Sequence, residues 1–127
     1  MIEELVGRVA SAAGIDGALA EKAVGMIFGF LKKEAPAESY ATLTAALPGV
    51  ETLAAASAGG GGMMGSVMGM MGGGGVMGLG AQMMASGLSM GQIQSISREV
   101  FAFGREKAGE DAMGEIVGAI PGLSQFV

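Results

Sequence analysis

The sequence contains no cysteine and no histidine. Without cysteine there is no disulfide framework and no thiolate chemistry. Without histidine, the commonest general base and the commonest transition-metal ligand are both missing. Tryptophan is absent, tyrosine occurs once and proline three times. Positive charge is scarce: seven Lys and Arg stand against twelve Asp and Glu, a formal net charge of −5. Such a chain lacks the basic surface that displaces counterions from nucleic acid, and an anionic membrane surface repels it for the same reason. The first residues, Met1-Ile2-Glu3-Glu4, place acid where a secretion signal needs Lys or Arg. A cytoplasmic, bacterial-type protein is therefore expected.

What is present is a repetition. Adding 73 to a position between 14 and 53 lands on a chemically similar residue between 87 and 126. Phe28 and Phe30 become Phe101 and Phe103, and Ala46-Leu47-Pro48-Gly49-Val50 becomes Ala119-Ile120-Pro121-Gly122-Leu123. An ungapped register of this length points to a duplicated structural unit. The 127 residues suit one ordinary domain, or two small units sharing a core.

Both copies carry helical periodicity. Ile2, Leu5, Val6, Val9, Ala10 and Ala13 form one apolar stripe, with Glu3, Glu4 and Arg8 opposite. Gly14 sits where a left-handed C-cap is needed, and Asp16 suits the next N-cap. A second helix should run to about Glu34 on Leu19, Ala20, Ala23, Val24, Ile27, Phe30 and Leu31, closed by Lys32 and Lys33. Pro36 suits a first helical position, and Tyr40 reads as a half-buried anchor. Pro48 interrupts the third helix, and a short fourth holds Val50 and Leu53. In the second copy, Ser89-Met90-Gly91-Gln92 is a capping-box pattern. The offset also requires a first helix near 76–86, weakened by Gly78 and Gly80. Ser97 and Gly104 stand at stripe positions that Val24 and Leu31 fill in the first copy.

Between the copies the composition changes. No residue from Thr52 to Ser97 is charged, and two runs of four glycines, 59–62 and 72–75, bracket a methionine cluster. Each interior glycine costs a helix about 1 kcal/mol relative to alanine, so the runs break helices locally. A linker is the plain reading, yet an ordinary linker has no reason to expose this much apolar surface. Methionine is flexible and polarizable and moulds itself to apolar partners. Met63, Met64, Met68, Met70, Met71 and Met77 are thus the candidate partner-binding residues, whether they seal a dimer or hold another protein. Two alternatives compete. Gly61, Gly65, Gly69 and Gly73 have the small-xxx-small spacing of a membrane glycine zipper, although flanking Lys, Arg, Trp and Tyr anchors are missing. The thioethers of Met64, Met68 and Met71 are soft enough for Cu(I).

No catalytic constellation emerges. Glu110, Asp111 and Glu115 are near neighbours on an expected exposed face, where first-turn carboxylates serve the helix dipole. Glu34 and Glu106 stand beside Lys33 and Lys107, as weak exposed ion pairs do. The glycine runs lack the Lys-Ser/Thr ending of a phosphate loop, and no serine occupies a nucleophile elbow. Phe28, Phe30, Phe101 and Phe103, equivalent in pairs, are expected to pack a shared core rather than cage a ligand.

The pattern Val9-Ala10-x3-Gly14-Ile15-Asp16, followed by Ala20-Glu21-x-Ala23-Val24 and Leu43-x3-Leu47-Pro48, resembles a family of short bacterial helical proteins. That family is a domain of unknown function found in one or two copies. The resemblance implies an all-helical fold and supplies no reaction, cofactor or catalytic residue. The expected fold is accordingly all-α: a bundle of two pseudo-two-fold-related units, 1–56 and 76–127, sharing one core and joined by a Gly/Met-rich connector, 57–75. The expected protein is non-enzymatic, without cofactor or metal, and a homo-oligomer or the binder of an unknown protein.

Overall fold

The computed structural model describes residues 2–53, 75–120 and 122–125, and for 75–77 and 125 the backbone alone. The described residues are helical, with no strand. Six α-helices follow in order: α1 (Ile2–Ala13), α2 (Gly17–Glu34), α3 (Ala37–Ala46), α4 (Gly75–Ala85), α5 (Met90–Ala108) and α6 (Glu110–Ala119). A helical turn at 50–53 follows α3, and a 3-10 turn, Leu123–Gln125, follows α6.

Local chemistry sets the boundaries. Gly14 adopts φ +67° after α1, and the N–H of Ile15 donates to the carbonyl of Ala10 at 3.0 Å. This is the six-to-one closure of a Schellman cap, in which a left-handed residue turns the chain back on its last turn. Asp16 then accepts from the N–H of Leu19 at 2.8 Å and starts α2. The extended backbone of Ala35, ψ 154°, ends α2, because a residue preceding proline is pushed out of the helical region. Pro36 is itself the N-cap, so α3 begins one residue later than the sequence suggests. Leu47, ahead of Pro48, ends α3 in the same way.

These features recur 73 residues on. Adding 73 to the starts of α1, α2 and α3 gives the starts of α4, α5 and α6. Gly87, at φ +101°, follows α4, and the N–H of Leu88 donates to Met83 at 3.2 Å. Ser89 caps α5 as Asp16 caps α2, here with the full reciprocal box through Gln92. Val50 N–H donates to Leu47, and Leu123 N–H to Ile120.

The recurrence is incomplete in one respect. α1 buries Leu5 and Val9, whereas α4 buries Leu79 and Met83, the counterparts of Val6 and Ala10. The counterparts of Leu5 and Val9 are Gly78 and Gln82, which offer no apolar side chain, so α4 presents a face about 100° around the helix. Leu79 and Met83 hold α4 against α2 and give its glycine-weakened backbone a tertiary reason to stay helical.

One contiguous core joins both halves of the chain, with Phe28, Phe101 and Phe103 its largest fully buried side chains. Phe30, expected beside them, is only partly buried. α1 packs mainly along α5, α4 along α2, and α3 against α6. Helices from the N-terminal and C-terminal halves of the chain therefore pack against one another. Neither half keeps its apolar residues to itself.

Candidate functional site

The seam between the halves is tied by side chains from both. Arg8, on α1, donates through Nη1 to Glu106 at 2.7 Å and through Nε to Glu99 at 3.3 Å, both on α5. Its guanidinium carbon lies 5.3 Å from the centroid of the Phe103 ring, with the Lys107 ammonium 5.5 Å from the same centroid. Two cations thus lie over the ring of an aromatic core residue, a favourable placement against the negative face of its quadrupole. The Arg8 hydrogen bond and charge hold the Glu106 carboxyl below its usual range, and Glu106 in turn raises Arg8. Elsewhere on the seam, Ser39 Oγ of α3 donates to Glu115 of α6 at 2.8 Å. Gln92 Nε2 donates to the carbonyl of Ala13 at 3.1 Å, fastening the start of α5 to the end of α1.

These partners correct two expectations. Arg8 is part-buried across the seam rather than a solvated residue on the face opposite the core. Glu106 answers Arg8, 98 residues away in sequence, rather than its neighbour Lys107. A sequence signal existed: Arg8 flanks the Leu5 and Val9 stripe, and Glu99 and Glu106 stand seven apart on one helix face. Nothing in the sequence said that α1 and α5 are neighbours.

Two clefts open to solvent. The first, of 260 Å³, lies between α3 and α6 and is lined by Glu38, Ser39, Thr42, Asp111 and Glu115, with Ala108 and Ala112. Its carboxylates are acceptors facing water, and no group of three or more His, Cys, Asp or Glu among the described residues is placed to hold a metal ion. The second, of 370 Å³, is mainly apolar. Ile2, Val6 and Leu53 form it, Glu3 and Glu21 edge it, and Gly7 leaves it open. Gly49 lies against Ile2: at φ +98° it takes a conformation that disfavours side chains, and a Cβ there would meet Ile2 at 3.3 Å.

Met63, Met64, Met68, Met70 and Met71 lie outside the described residues, as do Gly61, Gly65, Gly69 and Gly73 of the expected zipper. Met77 falls on α4, without a described side chain. Of the methionines that continue this stretch, Met83 is a core residue, while Met84 and Met90 are about half exposed. Among the described residues, no helix is long and apolar enough to cross a membrane. Tyr40, expected as a half-buried anchor, is placed more deeply: it is buried, and its hydroxyl has no hydrogen-bond partner among the described residues. Burial, and secondarily the charge of Glu51, raises its pKa.

No protein-family model, curated protein or solved structure matches the chain.

Proposed function

We propose that this chain is a non-catalytic, cytoplasmic interaction or structural protein. In this reading it consists of two related helical units about an approximate two-fold axis, of the kind its sequence resembles. Residues 57–75 serve as its self-association or apolar-partner surface. The observation that carries the proposal is the uncharged, methionine-rich stretch that follows Leu53 in the sequence, Leu53 being itself a wall of the apolar cleft. The cleft is apolar and edged by carboxylates, and the stretch is apolar and uncharged in sequence; both suit a hydrophobic protein partner and are poorly suited to polyanions.

The test keeps the chain length constant. Met63, Met64, Met68, Met70 and Met71 are replaced together by serine, and mass is measured by analytical ultracentrifugation alongside a melting curve. The parent should sediment as an oligomer. The variant should sediment at lower mass and melt at the same temperature. An unchanged mass would show that these methionines do not mediate assembly.

A further inference from the structure

We infer that the seam between the halves is a pairing code: it joins a first half to a second half, rejects the union of like halves, and so fits a second copy of this chain by reciprocal exchange. The inference rests on the reading of the halves as related copies, because it asks what each seam residue would face if a half met its own kind.

Consider first half against first half. The positions that Glu99 and Glu106 occupy in α5 are held in α2 by Met26 and Lys33. Arg8 would exchange two carboxylates, at 3.3 and 2.7 Å, for a thioether and a like charge. Glu115 would be replaced by Thr42 opposite Ser39. Packing points the same way. Gly104 leaves room first for Met113 of its own half, 2.8 Å from a Cβ built there, and then for Leu43 of the other half, whose Cδ1 would lie 3.3 Å away. The counterpart of Gly104 is Leu31, so self-pairing would press two leucines into that space. The native fold carries the same asymmetry: α3 packs against α5, while α6 makes no comparable contact with α2.

Second half against second half fails differently. With the rotated face of α4, Glu99 and Glu106 would face Gln82 in place of Arg8, and Glu115 would face Ala112, the counterpart of Ser39. Three carboxylates would lose their partners, and none would gain a cation. Selectivity built from lost and repulsive pairs is how one interface discriminates among similar partners.

Because both unlike halves belong to every chain, two chains can satisfy the code by exchanging halves. Linkage on one chain favours the closed monomer through a high effective concentration, and altered charges can tip that balance. One full-length chain carries R8E, and a second carries E99R/E106R. Each alone opposes like charges across its own seam and should melt about 4 °C or more below the parent. Co-refolded in equal amounts, they place opposite charges on both seams only by exchanging halves. The mixture should then form a 1:1 complex and melt close to the parent. A single chain with R8E/E99R/E106R should regain the parental melting temperature unaided.

Three results overturn the code: singly altered chains that melt like the parent, a mixture whose melting points stay depressed, or a combined variant no more stable than its components. Association through residues 57–75 alone would leave both depressed melting points where they were, which separates this outcome from failure of the methionine experiment. If either altered chain does not fold alone, the recovery on mixing remains the deciding measurement.

Discussion

Tyr40 shows how much a single buried atom can reveal. Its ring fills core space, but its hydroxyl is buried without a partner, and an unsatisfied buried polar group costs about 1–3 kcal/mol. Tyr40→Phe removes the group and keeps the ring. Urea denaturation should find the variant as stable as the parent or more stable, by up to about 1 kcal/mol. Alkaline pH gives an independent check. Burial, with Glu51 second, raises the native pKa, so the native state holds the phenolic proton where the unfolded chain, near about pH 10, releases it. The contribution is complete below that pH and disappears as pH rises through the native value. Parental stability should therefore fall more steeply on the alkaline side than that of the phenylalanine variant.

Among the elements, α5 is the best specified by its own sequence. Ser89 accepts from the Gln92 N–H at 3.3 Å, and Gln92 Oε1 accepts from the Ser89 N–H at 2.9 Å. The capping-box spacing announced this, because both partners lie within one turn. Ser89→Ala should cost about 1 kcal/mol, the usual worth of an N-cap hydroxyl, measured by thermal melting followed by circular dichroism. Asp16→Ala should cost a similar amount at α2. α4 is the opposite case. Gly75, Gly78 and Gly80 weaken it locally, and the 73-residue offset, not its own composition, was the reason to expect a helix there. The offset did not foretell which face would be buried. Leu79 and Met83 point inward because they are the apolar residues available, one position around from the stripe of α1.

At the scale of the whole molecule, Gly104 lies where α5 meets Met113 of its own half and Leu43 of the other. A Cβ there would lie 2.8 Å from both Sδ and Cε of Met113 and 3.3 Å from Leu43. The end of Met113 can move aside, so Gly104→Ala should be mild. Gly104→Leu, which installs the residue found 73 positions earlier, should overpack the seam and destabilise the fold by about 1–3 kcal/mol, read as a lowered urea midpoint at unchanged slope. Of the two residues that interrupt the apolar stripe of α5, Gly104 has a tertiary explanation. Gly104 and Met113 stand 73 residues after Leu31 and Tyr40, a small residue with a pliant one. Ser97 is buried at the position of Val24, and nothing in the structure explains the exchange.

By itself the sequence determined the helices, their caps and stops, and most of the core, Phe28 and Phe101 included. Each of these depends on residues within a turn or two of one another, where periodicity and capping chemistry act directly. Tertiary structure decided which helices became neighbours. From that followed the partners of Arg8, Ser39 and Gln92, the deep placement of Tyr40, and the rotated face of α4. Their physical cause is nonlocal: a charge or a methyl group is stabilised by whatever lies across the seam, and no spacing along the chain records what that will be.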